Sequence, residues 1–138
     1  MAIDRRSEIT SNLQVVRDEI SKAVMGAGRS LDEITLIAVT KTFPASDVEI
    51  LRDLGVTDFG ENRDADAAPK AADVAGTWHF QGQIQSNKLK SITSWAHVIH
   101  SLDEIRHFEV IEKSAPHPLE IFCQVSLDGS EGRGGVSE

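Results

Sequence analysis

Apolar residues recur along the chain at two different spacings, and these spacings predict where helices and strands lie. From residue 3 to residue 24 the apolar positions are three or four apart, as on one face of a helix. These positions are Ile9, Leu13, Val16, Ile20 and Val24. Gly26 and Gly28 are expected to end this helix. Residues 34–41 are nearly all apolar or β-branched, which is typical of a parallel strand covered on both faces.

The same strand-and-helix unit repeats along the rest of the chain. Further strands are predicted at 56–60, 78–82, 95–100 and 119–127, and helices at 46–54, 63–74, 86–93 and from 101 to before Pro116. Ser46 with Glu49 and Ser101 with Glu104 have the spacing of a capping box, and Pro69 predicts an interruption of the helix at 63–74. Strict alternation of strands and helices predicts an α/β fold with a parallel sheet.

Two architectures fit this alternation, a doubly wound open sheet and a (β/α)8 barrel. Lys41, Asn62, residues 79–83 and Ser101 all fall at or just after strand ends, where both architectures place ligand sites. A barrel needs eight units and typically about 250 residues, so roughly four and a half units cannot close one. We expect a single domain over residues 1–138, with the glycine-rich residues 128–138 as a flexible tail.

Composition and charge narrow the classes of function. The net charge of −8 disfavours nucleic-acid binding, so small molecules or proteins are the expected partners. No apolar run approaches the roughly 20 residues that span a bilayer, and the charged N-terminus lacks the pattern of a secretory signal. We therefore expect no membrane span and a cytoplasmic location. Cys123, the single cysteine, is interpreted as a small buried group.

Lys41 is the residue whose position most suggests chemistry. Alternation along the strand places it on the face of Thr35, Ile37 and Val39, at the strand's carboxyl end. If that face lines a cavity, partial desolvation favours the free amine that attacks a carbonyl to form a Schiff base. The alternative is a solvated lysine without a function.

Four segments resemble one protein family. They occur in the order LIAVTKTFP at 36–44, DFGENR at 58–63, WHFQGQIQSNK at 78–88 and HVIHSLD at 97–103. In this order they resemble the YggS/PROSC pyridoxal phosphate-binding proteins, from about residue 5 to the end of the chain. The resemblance implies a partial (β/α)8 barrel of the alanine racemase N-terminal type, containing the first four to five βα units of the family's domain.

The resemblance also implies a cofactor and its site. Family members hold pyridoxal 5'-phosphate (PLP) as a Schiff base on the lysine that matches Lys41, and Asn62 matches an asparagine beside the cofactor. His79 and Ser101 are further candidates for cofactor contacts, although His79 could equally be a hydrogen-bonded core residue and Ser101 a helix cap. The polar residues of the loop after the third strand are interpreted first as a hydrogen-bonded loop that caps the next helix. They are Gln81, Gln85, Asn87 and Lys88.

The chain departs from the family pattern at two lysine positions and in its extent. Phe43 and Arg133 stand where many members carry further lysines, so transfer of the cofactor between lysines is not supported. The family's phosphate-binding segment follows later strands, outside the matched part. Without such a segment, a Schiff base on an open lysine is expected to exchange readily with water.

The resemblance implies a PLP homeostasis protein without established turnover. One alternative is a PLP-dependent amino acid racemase, although the chain has no tyrosine to act as the second base. Another is a truncated fragment that binds nothing and only oligomerises, because a half-barrel exposes strand edges and an apolar face. A homo-oligomer is expected. No metal site is predicted, since His97 and His100 are three apart and should point to opposite faces of a strand.

Overall fold

Five parallel strands form one sheet, in the order in which they follow one another along the chain. The computed structural model describes residues 2–137. Its strands are β1 (Ile37–Val39), β2 (Asp58–Glu61), β3 (Thr77–Phe80), β4 (Val98–Leu102) and β5 (Glu120–Cys123). The predicted parallel α/β fold is confirmed. The order of the strands does not reverse anywhere in the sheet, as it would in a doubly wound fold.

Five α-helices pack against one another in sequence; the first precedes β1 and the other four connect successive strands. They are α1 (Arg5–Gly26), α2 (Ala45–Asp53), α3 (Asp64–Asp73), α4 (Leu89–Trp95) and α5 (Ile105–Ser114). Short 3₁₀ turns span Leu31–Glu33 and Ser86–Lys88. Each helix contacts the next one, so the helices form a continuous layer. No helix within residues 2–137 is both long enough and apolar enough to cross a membrane.

The hydrophobic core lies between this helical layer and one face of the sheet. Phe59 and Trp78, neighbours on β2 and β3, are fully buried with ring centroids 5.3 Å apart. The indole Nε1 of Trp78 donates to the carbonyl of Val74 at 3.0 Å, so the one polar atom of this ring is satisfied. Truncation of such an aromatic residue typically costs about 3–5 kcal/mol. This contact is therefore a main source of stability.

The opposite face of the sheet is largely uncovered within the described residues. Val39 on β1 is 50% exposed and Phe122 on β5 is 54% exposed. The prediction that the first strand is covered on both faces is wrong, because no described element packs on the second face. The strand is also shorter than predicted, so Lys41 lies beyond its end rather than within it.

The N-terminal helix packs through only part of its apolar stripe. Leu13 and Val24 are buried, whereas Val16 is exposed. The helix is also held by charge, since Arg5 Nε donates to Asp47 Oδ2 at 3.1 Å and the Asp47 side chain is buried on α2. The stripe correctly predicted a helix, but not how much of it is covered.

Several local predictions are wrong for identifiable reasons. Neither predicted capping box forms: Ser46 lies inside α2, whose N-cap is Pro44, and Ser101 lies in β4. The helix α3 continues through Pro69. Ala67 and Lys70, one on each side of the proline, are both buried, so packing supports the helix there.

Two further assignments differ near the C-terminal strands. Trp95 ends α4 instead of beginning a strand, since its ring packs edge-on against Phe80 at 6.1 Å. Cys123 is exposed, because it lies on the outermost strand of the sheet.

The glycine-rich segment after β5 returns to the sheet. Val136 pairs with Val125 in an isolated bridge, in which Ser126 N donates to Val136 O at 2.7 Å. The backbone N–H of Gly135 donates to Asp103 Oδ2 at 2.9 Å. The predicted flexible tail therefore has specific contacts with the loop after β4.

Gly82, just after β3, packs directly on the backbone of Asn62. A Cβ atom at this position would overlap the carbonyl oxygen of Asn62, and the backbone there has little freedom to move. We expect Gly82→Ala to reduce the free energy of unfolding by about 1–3 kcal/mol, as overpacking does. Urea unfolding followed by circular dichroism measures this change.

The matched control is Gly26→Ala, at the end of α1, where an added Cβ atom has no neighbour within 4 Å. Its effect should be neutral or slightly stabilising. Equal stability of the two variants would show that the approach of Gly82 to Asn62 is not a real constraint.

Candidate functional site at the carboxyl ends of the strands

Lys41 lies in a tight turn directly after β1. The turn is closed by Phe43 N, which donates to Thr40 O at 3.1 Å, and Thr42 has a φ of +70°. A β-branched residue is unfavourable in this left-handed region, so the surrounding structure must hold the turn. The Lys41 side chain is exposed, and none of the ion pairs found within residues 2–137 involves it. Its amine is thus accessible to a small molecule.

A buried polar cluster lies beneath this turn. Thr40, Glu61 and Lys70 are all buried, and Glu61 Oε1 lies 2.7 Å from both Thr40 Oγ1 and Lys70 Nζ. Sequence reasoning did not single out Lys70. The available signal was its position three residues after Ala67 on an alanine-rich helix, which places both residues on one face.

Asn62 follows β2 directly and lines an open cleft of about 380 Å³. The cleft also contains Gln85 and Lys88, so the structure brings these two predicted loop residues to the side of Asn62. Gln81 instead packs against Gly60 on the neighbouring strand.

Ser101 joins the ends of adjacent strands. Its buried Oγ donates to the carbonyl of Gly82, the same glycine that packs against Asn62. The hydroxyl therefore bonds to the backbone and does not cap α5, whose N-cap is Glu104. Residues after β2 and β3 and within β4 form one connected rim.

His79 lies on the uncovered face of the sheet and hydrogen-bonds to two other side chains there. Its Nε2 is 2.7 Å from Asp58 Oδ2 and its Nδ1 is 2.8 Å from His100 Nε2. A carboxylate only accepts, so in neutral His79 the Nε2–H donates to Asp58 and Nδ1 accepts from His100. Both ring nitrogens are thus engaged by residues other than Lys41. The site residues Lys41, Asn62, His79 and Ser101 remain predictions as cofactor contacts.

His97 and His100 both line a cavity of about 630 Å³ on this face, together with His79. The prediction that they point to opposite faces rested on strand alternation, which does not apply to His97 because it precedes β4; His97 also borders a cavity beside α3 and Trp78. Burial lowers the pKa of His97, and the nearby His117 and His79 lower it further. Burial and then His79 likewise lower the pKa of His100.

A cluster of potential metal ligands lies away from these residues. Asp103, Glu104 and His107 place one ligand atom each within 4.8 Å of one another. Each side chain already has a partner: Gly135 N for Asp103, Arg106 for Glu104 and Ser86 for His107. His107 Nδ1 is buried and has no hydrogen-bond partner among the described residues.

Several known proteins are similar to this chain. The pyridoxal phosphate homeostasis protein of Mycobacterium leprae is 37% identical over 155 positions, covering 97% of this chain and 60% of that protein. PipY of Synechococcus elongatus, in a structure with PLP bound, is 28% identical with a TM-score of 0.74, covering 92% of this chain and 57% of PipY. A structure from Bifidobacterium adolescentis, described as an unknown protein, is 27% identical with a TM-score of 0.83, covering 99% and 62% of the two chains.

Over 97% of its length the chain is similar to curated proteins of the YggS/PROSC family. This confirms the resemblance seen in the four segments. No protein-family model matches the chain. The chain spans about 60% of the length of the curated relatives that it matches. What the full-length family members do therefore applies to this chain as a proposal.

The depressed histidine pKa values predict how stability varies with pH. The unfolded chain, with a histidine pKa near 6.5, binds protons that folded His97 and His100 do not. The free energy of unfolding should therefore be highest above pH 6.5 and fall as the pH approaches the lower pKa values of the folded state. Urea unfolding midpoints measured between pH 8 and pH 5.5 test this dependence. This pH range lies above the one in which carboxylates titrate.

His97→Asn is the matched variant for this dependence. His97 Nδ1 accepts from Trp78 N at 3.0 Å, and the asparagine oxygen offers an acceptor without a titrating group. We expect a weaker slope of stability against pH in the variant. An unchanged slope would assign the pH dependence to other groups.

Proposed function

We propose that this protein binds PLP as a Schiff base on Lys41 and acts in PLP homeostasis. The observation that carries the proposal is the exposed amine of Lys41, on a turn at the carboxyl end of β1, which has no ion-pair partner among the described residues. The similarity to curated pyridoxal phosphate homeostasis proteins and to the PLP-bound structure of PipY supports it. When bound, PLP would supply an aldehyde that condenses with the amine and releases water.

We further propose that the sheet is the first part of a (β/α)8 barrel. The sequential strand order, the single helical layer and the uncovered second face are the features expected of part of a barrel wall. In this arrangement the uncovered face is the barrel interior. Lys41 then lies at the face where barrel enzymes and binding proteins place their ligands.

The residues present fit one end of the cofactor. The Lys41 amine is accessible, and the cleft beside Asn62 offers amide groups from Asn62, Gln83 and Gln85 together with the charge of Lys88. These groups can orient polar substituents of a pyridine ring by hydrogen bonding. Because Lys41 is open to water, the chain alone is expected to hold PLP loosely.

Incubation with PLP followed by borohydride tests the proposal. We expect imine absorbance that borohydride removes, and a PLP mass fixed on the peptide that contains Lys41. Lys41→Arg should abolish this adduct, since a guanidinium remains charged and does not form a Schiff base.

Lys90→Arg is the control, because Lys90 is an exposed lysine on α4 and has no proposed role. It should leave the Lys41 adduct unchanged. An adduct spread evenly over exposed lysines would contradict a site at Lys41. Incubation of the PLP-loaded protein with alanine, and analysis of its enantiomers, distinguishes the homeostasis function from a racemase.

We also propose that the protein self-associates through the uncovered face. Edge strand β1 has an unpaired side within the described sheet, and Val39 and Phe122 expose apolar surface. Light scattering should therefore give at least twice the 15.1 kDa mass of one chain. Phe122→Lys should weaken association, whereas Ile105→Lys on the outer helical layer should not. A stable monomer would overturn this proposal.

A further inference from the structure

The buried amine of Lys70 reaches from helix α3 to the end of β1. Its Nζ donates to the carbonyl oxygen of Thr40 at 2.9 Å and to Glu61 Oε1 at 2.7 Å. Lys70 is only 9% exposed and Glu61 is fully buried. An ion pair of this kind connects three elements, α3, β1 and β2, at one point.

The same carboxylate also binds the Thr40 side chain. Thr40 Oγ1 donates to Glu61 Oε1 at 2.7 Å, so Glu61 holds the hydroxyl while Lys70 holds the carbonyl of the same residue. Glu61 Oε2 has no hydrogen-bond partner among the described residues. Both charged side chains thus direct their hydrogen bonds toward Thr40 or toward each other.

Thr40 is the first residue of the turn that carries Lys41. Its carbonyl accepts from Phe43 N at 3.1 Å as well as from Lys70, and between them Thr42 has a φ of +70°. Threonine is a poor residue for this position, where a type II turn normally takes glycine. The turn therefore depends on support from outside its own sequence, and Lys70 provides it.

Stability alone does not explain a buried ion pair at this place. Removing two charges from water is costly, and apolar replacements of buried ion pairs are often neutral or stabilising. What an ion pair adds is direction, since its hydrogen bonds fix the position of specific atoms. Here the fixed atom is the carbonyl oxygen that begins the Lys41 turn.

We propose that Lys70 and Glu61 are positioning residues, whose contacts with Thr40 hold the Thr40–Phe43 turn and thereby fix the direction of the Lys41 amine. This role rests on the proposed function of Lys41. Lys70 is not itself a second site for PLP, because its amine is buried and held by two acceptors. Neither residue is proposed to touch the cofactor.

The decisive variant is the double substitution Glu61→Gln with Lys70→Met. It leaves no buried charge and keeps an acceptor for the Thr40 hydroxyl, so it should fold with an unfolding midpoint close to that of the wild type. It removes the ammonium group that holds the Thr40 carbonyl. Lys90→Met, at an exposed lysine, is the matched control. Thr40→Val, which removes only the hydroxyl bond to Glu61, is the second variant in case the double variant does not fold.

The first readout uses the protein without PLP. Amide hydrogen exchange of Phe43, whose N–H closes the turn, should be about tenfold faster in the double variant, the change expected from losing one charge-assisted hydrogen bond. Thr40→Val should give a smaller increase. The exchange of Trp78 and Ile99 in the core should stay the same in both variants.

The second readout is the initial rate at which PLP is fixed on Lys41 by borohydride. This rate should fall by about tenfold in the double variant, in proportion to the loss of the ordered turn. Wild-type rates of Phe43 exchange and of Lys41 labelling in a folded double variant would overturn the positioning role. Absence of the Lys41 adduct in the wild type would instead overturn the proposed function, while Phe43 exchange would still report whether the turn is held.

Discussion

The candidate site of this protein depends on the contact between Lys70 and the end of the first strand. β1 is only three residues long, and nothing in the strand itself determines how the chain continues after Val39. The bonds from Lys70 and Glu61 to Thr40 determine it by joining the helical layer to the ends of β1 and β2. A hydrophobic contact could hold these elements together, but it would not select one orientation of a carbonyl group. The polar cluster therefore contributes geometry, whereas the aromatic core contributes most of the stability.

The sheet has one face packed under the helices and one open face. Phe59 and Trp78 pack under the helices, and the side chains that alternate with them on the same strands, Asp58 and His79, lie on the open side. Alternation along each strand therefore places the apolar core residues on one face and the polar side chains on the other. The same arrangement explains why exposed apolar residues such as Phe122 accompany the polar ones. Phe122 stacks on His100 at 5.0 Å, so part of this face is ordered by its own contacts.

Two polar groups of residues lie at different heights along the strands. The rim residues Asn62, Gly82 and Ser101 lie at the carboxyl ends and are joined through backbone contacts. The chain Asp58, His79 and His100 lies lower and is closed by short side-chain hydrogen bonds. The rim joins the carboxyl ends of β2, β3 and β4. The histidine chain instead links neighbouring strands, and this gives His79 a structural role that its place in a family motif does not reveal.

The amino-acid sequence was enough to predict the α/β class, the order of the elements, the family resemblance and a lysine at a strand end. These follow from local periodicity and from contiguous motifs, which are properties of short segments. It did not reveal the contact of Lys70 with Thr40, the partners of His79, the continuation of α3 through Pro69 or the exposure of Cys123. Each of these depends on which residues meet across elements, as Lys70 meets Thr40 from 30 positions away. Burial and hydrogen-bond partners at that separation are decided by packing, so only the tertiary structure could assign them.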